Sequence, residues 1–311
     1  KLVVCDDPTC NPATNLVSTI DSFGGVGEFT SIAIGSNGNP VISYFDFTNA
    51  DLKLVVCDDP TCNPATNLIS APDSFGNTGY ATSIAIGSNG NPVISYTNSI
   101  GDLRVAACSS PTCDTGFFRT LDSVSDVSSS TTSIAIGSNG NPIISYFDDT
   151  NDDLKLVACG DPSCNPVTNI TRTLDRTDND SLLGFDMSIA IGSNGNPVIS
   201  YFDDTNDDLK LVACGDPTCA PVTNIIRTLD SDGFVGFSSS IAIGSNGNPV
   251  ISYSSIDNVK LVTCGDPTCD PATNTLRILD SQGVEDGFTS IAIDPDGVPV
   301  ISYYDWFNTD L

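Results

Sequence analysis

The chain has 311 residues, of which 39% are hydrophobic, so it is long enough to bury a sizeable core. Its 39 acidic residues outnumber 11 basic ones and give a net charge of −28, which would repel the phosphate backbone of a nucleic acid. No stretch reaches the ~18–20 consecutive apolar residues of a membrane helix, so neither nucleic-acid binding nor membrane insertion is expected. All acidic residues except Glu28 and Glu285 are aspartates, which favour turns and indicate a β-rich chain.

One phrase, Ser-Ile-Ala-Ile, occurs six times along the chain, at spacings of 52, 50, 55, 52 and 50 residues. It begins at Ser31, Ser83, Ser133, Ser188, Ser240 and Ser290. The sequence starts at Lys1 in the second half of a repeat and stops at Leu311 in the first half, so joining the two ends would complete a unit. A fixed period of this length predicts a single array of repeated units rather than two unrelated domains.

The unit that begins at Ser83 shows its predicted strands in chain order. Residues 83–87 alternate small and large side chains, as a strand with two different faces does. The turn that follows contains Asn89-Gly90, which supplies the positive φ of a tight hairpin, and a second strand is predicted at 93–96. A third strand is predicted at 103–108 and a fourth at 117–121. Four antiparallel strands in each unit of this length are typical of a β-propeller blade.

The sequence therefore predicts an all-β, six-bladed β-propeller with four antiparallel strands per blade, closed by one blade that the two chain ends share. The expected blades cover residues 31–74, 83–123, 133–176, 188–231, 240–281, and 290–311 together with 1–22. A β-solenoid is the alternative, although its coils are usually shorter.

The repeat Ser-Ile-Ala-Ile-Gly-Ser-Asn-Gly-Asn-Pro-Val-Ile-Ser-Tyr, with Asp-Leu-Lys-Leu-Val after it, resembles repeats of uncharacterised secreted or surface propeller proteins of bacteria and archaea. More distantly it resembles the sialidase-type propellers. The first resemblance covers essentially the whole chain and implies a six-bladed fold and an extracellular or cell-surface location, but no activity. Sialidase chemistry is not expected, because six of the eight tyrosines recur at one repeat position and the turns depart from the Asp-box.

Twelve cysteines form six pairs with the spacing Cys-x4-Cys, one pair in each unit. The pairs are Cys5/Cys10, Cys57/Cys62, Cys108/Cys113, Cys159/Cys164, Cys214/Cys219 and Cys264/Cys269. An even count at a fixed local spacing predicts disulfides and an oxidising compartment. Zinc is the alternative, but structural zinc needs four converging nitrogen or sulfur ligands, and the chain has no histidine.

No catalytic set is evident in the sequence. The lack of histidine excludes Ser-His-Asp and Cys-His arrangements. Six of the basic residues recur on the predicted third strand, as structural residues do: Lys1, Lys53, Arg104, Lys155, Lys210 and Lys260. The sequence favours an extracellular or cell-surface binding or adhesion module. One alternative is a structural subunit of a surface layer, filament or appendage, and another is a carboxylate- or metal-dependent enzyme acting on extracellular polysaccharide.

The loops between the second and third strands and the loops between blades vary in length and composition, whereas the Asn-Gly turns barely change. Because these two kinds of loop open at the same end of a propeller, that end is the expected ligand-binding face. Its candidate binding residues are Phe47, Tyr80, Trp306 and Phe307. The expected partner is an extracellular glycan or protein, or further copies of the chain in an assembly.

Two nearly identical acidic loops belong to the same end of the predicted blades. Clustered carboxylate and amide oxygens are the ligands that Ca²⁺ prefers, so these loops are candidate calcium sites. An Asx-turn with solvated charges is the alternative. No cofactor is expected to be required. The candidate ligands are Asp148, Asp149, Asn151, Asp152 and Asp153 in the first loop and Asp203, Asp204, Asn206, Asp207 and Asp208 in the second.

Overall fold

The structure is a computed structural model, and it describes residues 1–5, 10, 13–123, 131–176, 183–281 and 288–304. Regular structure in these ranges consists of β-strands, with one short 3-10 helix at Pro221–Thr223. None of the described helical structure is long and apolar enough to span a membrane.

Across the described ranges, four-stranded sheets recur five times, and each pairs its strands in chain order. We call them blades 1 to 5. Blade 1 contains β3 (Val26–Ile34), β4 (Pro40–Asp46), β5 (Asp51–Val56) and β6 (Leu68–Asp73). Blade 2 contains β7 (Thr78–Ile86), β8 (Pro92–Asn98), β9 (Asp102–Cys108) and β10 (Gly116–Ser123). Blade 3 contains β11 (Thr132–Ile136), β12 (Pro142–Asp148), β13 (Asp153–Ala158) and β14 (Ile170–Arg176).

Blades 4 and 5 repeat the same pattern, and each end of the chain adds a two-stranded sheet. Blade 4 contains β15 (Leu183–Ile191), β16 (Pro197–Asp203), β17 (Asp208–Ala213) and β18 (Ile225–Asp230). Blade 5 contains β19 (Val235–Ile243), β20 (Pro249–Ser255), β21 (Val259–Thr263) and β22 (Thr275–Asp280). The terminal sheets are β1 (Leu2–Val4) with β2 (Leu16–Ser18), and β23 (Thr289–Ile293) with β24 (Pro299–Tyr303). The predicted all-β architecture of repeated four-stranded antiparallel sheets is therefore confirmed.

The chain divides into two compact units. Unit 1 comprises Lys1–Ser130, Gly140–Pro142 and Gly160–Thr168, and unit 2 comprises Thr131–Asn139, Ile143–Cys159 and Asn169–Leu311. Unit 1 therefore holds blades 1 and 2 and the β1–β2 pair. Unit 2 holds blades 4 and 5, nearly all of the blade 3 strands and the β23–β24 pair.

The terminal strand pairs each pack against a neighbouring blade of their own unit. In unit 1, Leu2 and Ile20 pack against the buried side chains of Tyr44 and Val55 in blade 1. In unit 2, the buried Ile291 of β23 belongs to one apolar cluster with Val250 and Leu261 of blade 5. Each terminal pair is thus half a blade attached to its neighbour. The assignment of both halves to one shared blade stays a prediction.

A buried hydrogen bond between a tyrosine and an aspartate joins successive blades at one position of the repeat. The hydroxyl of Tyr96 donates to Asp73 at 2.7 Å, and that of Tyr253 donates to Asp230 at 2.7 Å. The same bond joins Tyr44 to Asp21, Tyr201 to Asp175 and Tyr303 to Asp280. Burial raises the pKa of Tyr96 and of Tyr253 well above the usual value for tyrosine, so both hydroxyls remain protonated donors.

The recurring basic residues of the third strand bind these and neighbouring aspartates. Lys260 Nζ lies 3.0 Å from Asp230 Oδ2, and an Arg104 guanidinium nitrogen lies 3.2 Å from Asp73 Oδ2. The charges of Lys260 and Arg104 thus connect two blades. Lys53 and Lys155 instead pair with Asp46 and Asp148 of their own blade. The structural interpretation of these residues agrees with the observed ion pairs.

The disulfides lie within single turns between the third and fourth strands. All twelve cysteines are disulfide-bonded, as the sequence predicts. In the chain-entropy treatment, a loop this short contributes on the order of 2 kcal/mol per bridge. Local bridges join Cys5 to Cys10, Cys57 to Cys62, Cys108 to Cys113, Cys214 to Cys219 and Cys264 to Cys269. Five of the six predicted pairings are therefore confirmed.

The sixth predicted pair belongs to the turn that follows β13 in blade 3. Cys159 and Cys164 are both disulfide-bonded, and both side chains are buried. The Cys164 amide donates to the Asp161 carbonyl at 3.0 Å, as the Cys219 amide does to the Asp216 carbonyl in blade 4. Because no cysteine in the described ranges is free and the other ten cysteines pair among themselves, Cys159 and Cys164 pair with each other, and the sixth predicted bridge is confirmed.

The near-invariant Asn-Gly turns have a packing cause as well as a conformational one. Gly247 has a φ of 83°, and a Cβ at this residue would stand 2.8 Å from Ser193 Oγ of blade 4. Ser193 Oγ also donates to the Gly247 carbonyl at 3.2 Å. Glycine is therefore required both for the turn and for the close approach of the next blade. The end of the sheets that carries the Asn-Gly turns thus has a structural role.

Candidate functional site

The two kinds of variable loop meet at one end of the sheets, as the sequence predicts; we call it the loop end. In unit 1, the Gly25 amide donates to Thr48 Oγ1 at 2.7 Å, and the Phe47 amide donates to the Gly25 carbonyl at 2.8 Å. In unit 2, the Val235 amide donates to the Asp207 carbonyl at 3.1 Å. Loops that differ from blade to blade are thus held against each other by hydrogen bonds that backbone amides donate.

An aromatic cluster occupies the loop end of unit 1. The rings of Phe45 in blade 1 and Tyr80 in blade 2 stack with their centroids 4.2 Å apart and their planes inclined by 32°. Phe47 lies edge-on to Phe45 at 6.4 Å, and Phe29 lies 6.3 Å from Tyr80. Offset and edge-to-face contacts of this kind stabilise aromatic pairs by about 0.5–1.5 kcal/mol beyond the burial of their area. The buried Phe45 therefore fixes the rings around it.

Four phenylalanines at this end expose much of their side chains to water. The exposed fractions are 84% for Phe23, 48% for Phe29, 68% for Phe47 and 85% for Phe75. We call these four residues the aromatic surface of unit 1. Large apolar side chains grouped at one end of a soluble protein are typical of an interaction site.

Two of the four sequence candidates take part in this arrangement. Phe47 and Tyr80 come from different blades, and both contact Phe45. Trp306 and Phe307 lie outside the described residues. Sequence reasoning missed Phe29, although it breaks the repeat: the same position holds Ala81 in blade 2.

The bulged start of the first strand turns Phe29 towards solvent. Phe29 has a φ of 50°, a left-handed conformation that is uncommon for a residue with a side chain. Its carbonyl accepts a hydrogen bond of 2.8 Å from Thr82 Oγ1 in blade 2, which holds the bulge in place. The backbone conformation recurs at Ala81, so the fold requires the bulge but not an aromatic ring there.

The polar groups near the aromatic surface accept hydrogen bonds and carry negative charge. Asp46 directly precedes Phe47 and takes hydrogen bonds from the Thr48 amide and the Asn49 side chain. The nearest repeated cation, Lys53, is held 3.6 Å from Asp46. Asp46 is itself buried and already bonded, so it contributes negative charge beside the rings. The surface is thus suited to stacking and is poorly suited to an anion.

In each acidic loop of unit 2, the first aspartate is engaged by hydrogen bonds and an ion pair within the protein. Asp203 accepts hydrogen bonds from the Thr205 amide at 3.1 Å and from the Asn206 side chain at 2.9 Å, and Lys210 Nζ lies 3.0 Å from it. Asp148 is held in the same way by Thr150, Asn151 and Lys155. These two carboxylates form Asx-turns, as the alternative interpretation of the sequence has it.

The remaining aspartates of the second loop repel one another. Burial, with the neighbouring charges of Asp204 and Asp203, raises the pKa of Asp207 above its usual range, and burial beside Asp203 does the same for Asp208. In the described residues, no group of three or more His, Cys, Asp or Glu side chains is placed to hold a metal ion. Calcium binding here stays a prediction, and only weak binding is expected.

Millimolar Ca²⁺ should raise the melting temperature above the value at equal ionic strength in NaCl, because a divalent ion relieves this repulsion. Replacing Asp204 and Asp207 with asparagine should reduce the shift, and adding Asp149→Asn and Asp152→Asn should reduce it further. Asp257→Asn, in the shorter loop of blade 5, is the matched control. Differential scanning calorimetry measures the shift, and equal melting temperatures in CaCl₂ and NaCl would contradict the hypothesis.

Comparisons with known proteins identify the fold but no sequence family. No protein-family model matches the chain, and no curated protein matches it significantly. A protein of unknown function from Dyadobacter fermentans is similar in structure, with a TM-score of 0.63 and 12% identity over 89% of this chain and 90% of that one. A mutant of AofleA from Arthrobotrys oligospora has a TM-score of 0.59 and 11% identity over 88% of this chain and 78% of that one.

An alpha-L-arabinofuranosidase from Fusarium graminearum, in complex with an iminosugar inhibitor, is also similar. Its TM-score is 0.58 and its identity 14%, over 89% of this chain and 92% of that one. Identities this low show the fold alone. The repeated four-stranded sheets with two-stranded pieces at both chain ends match these structures, and the chain has the fold of the six-bladed β-propellers.

Proposed function

We propose that the protein is an extracellular binding module whose aromatic surface in unit 1 takes an uncharged glycan. The observation that carries this proposal is the exposure of Phe23, Phe29, Phe47 and Phe75 at the loop end of the sheets. Variable loops on a rigid scaffold are the usual place for binding residues. Phe23 and Phe75, in the loops between blades, are more than four-fifths exposed and contribute little to the core, which supports a role in contacting a ligand.

The charge of the protein supports an uncharged glycan over other ligands. A net charge of −28 disfavours uronates, sulfates and phosphates. A neutral sugar offers hydroxyl donors to carboxylate and carbonyl acceptors, and the C–H groups of its ring face carry the partial positive charge that an aromatic face attracts.

The cysteines support the extracellular location. Disulfides persist in oxidising compartments and are rare in the cytosol. Binding is favoured over catalysis because the repeated cations that could serve a reaction, among them Arg104, Lys155 and Lys260, are paired with buried aspartates.

The test replaces the rings with residues that blade 2 already carries at the same positions. Phe29→Ala introduces the residue that blade 2 has at Ala81, and Phe47→Ser introduces the residue that it has at Ser99. Neither change therefore requires a new backbone conformation. Affinity electrophoresis through gels containing arabinan, xylan, mannan or β-glucan should retard the wild type. The double variant should bind about 10-fold or more weakly, because each lost ring contact is worth about 0.5–1.5 kcal/mol.

The matched control is Val167→Ala, which truncates a side chain that is 90% exposed in unit 1. This residue lies in a cysteine-containing turn, between the third and fourth strands, and its variant should be retarded like the wild type. Equal retardation of the double variant and the wild type, or free migration of the wild type in all four gels, would contradict the proposal.

A further inference from the structure

A second aromatic cluster lies at the loop end of unit 2. Phe202 of β16 stacks on Phe237 of β19 with ring centroids 4.3 Å apart and planes inclined by 35°. These values nearly equal those of the Phe45–Tyr80 pair in unit 1, which joins the corresponding strands of blades 1 and 2. A stacked pair on corresponding strands thus forms the base of each cluster.

A third ring turns this pair into a platform. Phe234 lies 4.6 Å from Phe237 with the planes inclined by 32°, and 5.6 Å from Phe202. Its side chain is 37% exposed, whereas Phe202 is buried. The repeat does not demand an aromatic residue here, because blade 2 carries Asn77 at the same place. Phe234 is therefore an addition to the scaffold rather than part of it.

The groups around Phe234 accept hydrogen bonds and carry negative charge. The Val235 amide donates to the Asp207 carbonyl at 3.1 Å, which brings the acidic loop of blade 4 against the backbone beside Phe234. Residues 203–209 and 230–236 contain six aspartates and no basic residue. Lys210, directly after the first of these segments, is held 3.0 Å from Asp203 and 3.2 Å from Asp175.

We propose that Phe234 and Phe237 form a second subsite for an uncharged saccharide, in addition to the aromatic surface of unit 1. This inference rests on the proposed function of the aromatic surface in unit 1. A sugar ring stacks on the exposed face of Phe234, and its hydroxyl groups donate to the carboxylates and carbonyls of the two flanking loops. Each chain then takes two short saccharides, one at the aromatic surface of unit 1 and one at Phe234.

The test counts the short saccharides that one chain binds. Isothermal titration calorimetry uses arabinotriose, xylotriose, mannotriose and cellotriose. The wild type should bind about two trisaccharides per chain, and Phe234→Asn should bind about one, as should the Phe29→Ala/Phe47→Ser variant. Combining the three changes should abolish binding.

Val222→Ala is the matched control in unit 2, because its side chain is 91% exposed in a disulfide-bridged turn. Thermal melting of every variant verifies that the fold is retained. If the wild type binds one trisaccharide per chain and Phe234→Asn matches it, the second subsite is refuted while the proposed function stands. If the wild type binds no saccharide, both are refuted. If Phe234→Asn weakens only the binding of tetramethylammonium, the platform takes a cation and the saccharide assignment is overturned.

Discussion

Replacing Asp230 with alanine should lower the free energy of unfolding by about 3–5 kcal/mol, because the change leaves a buried cation without its partner. Lys260 Nζ lies 3.0 Å from Asp230, and the Tyr253 hydroxyl donates to it at 2.7 Å. All three side chains are buried between blades 4 and 5. The alanine variant loses the shared acceptor of both donors and the link between the two blades.

Urea denaturation at pH 7 measures this effect. Asp230→Asn should cost less than the alanine variant, since an amide oxygen still accepts the tyrosine hydroxyl, and Tyr253→Phe should cost about 1 kcal/mol. Asp232→Ala, two residues away and exposed, is the matched control and should change stability by less than about 0.5 kcal/mol. An Asp230→Ala variant as stable as Asp232→Ala would contradict the role of the link.

The same link predicts a dependence on pH. Burial by itself would raise the pKa of Asp230, but hydrogen bonds from Tyr253 and Lys260 outweigh burial and hold the pKa below its usual range. The folded protein therefore binds this proton less readily than the unfolded chain. The contribution of Asp230 is complete above the ordinary pKa of about 3.9 and is lost as the pH falls through the depressed value. The difference between wild type and Asp230→Ala should accordingly shrink in acid.

Deleting residues 1–21 should destabilise the protein by about 5 kcal/mol and lower its melting temperature by about 10 °C. The deletion removes Leu2 and Ile20 from the cluster they form with Tyr44 and Val55. It also removes Asp21, which accepts the Tyr44 hydroxyl at 2.7 Å, and so leaves a buried donor without its acceptor.

Differential scanning calorimetry compares the deletion with two point variants. Ile20 packs against blade 1, so Ile20→Ala should also lower the melting temperature. Val17→Ala, whose side chain is 58% exposed in the neighbouring strand, should leave it nearly unchanged. A deletion variant that melts like the intact protein would show that the N-terminal strand pair is not part of the folded array.

The strands could be predicted from the sequence because each blade repeats them. The predicted third strand at 103–108 is observed at Asp102–Cys108, and the predicted fourth strand at 117–121 is observed at Gly116–Ser123. The first strand was predicted too short. In blade 2 it begins at Thr78, five residues before the repeated phrase, because the variable segment pairs with β8 through a bulge that places Ala81 at a φ of 49°.

The aromatic clusters could be predicted only in part. Tyr80 was found because it lies outside the repeated tyrosine position, and Phe47 because it occupies the position of Trp306 in blade 1. Phe29 also breaks the repeat and was missed. The stacked pairs were missed because each one joins residues of different blades, such as Phe45 and Tyr80 or Phe202 and Phe237. A contact of that kind depends on the spacing of two blades in three dimensions, which a strand pattern does not contain.

Hydrogen–deuterium exchange in the presence of the polysaccharide that retards the protein most tests directly whether the variable loop ends bind the ligand. Mass spectrometry of the exchanged peptides should show added protection at residues 22–30, 46–50 and 74–81 in unit 1 and at 203–208 and 231–238 in unit 2. The disulfide-bridged turn at 215–224 and the Asn-Gly turn at 244–248 should exchange as they do without ligand. Protection confined to those two turns, with none at the loop ends, would contradict the account.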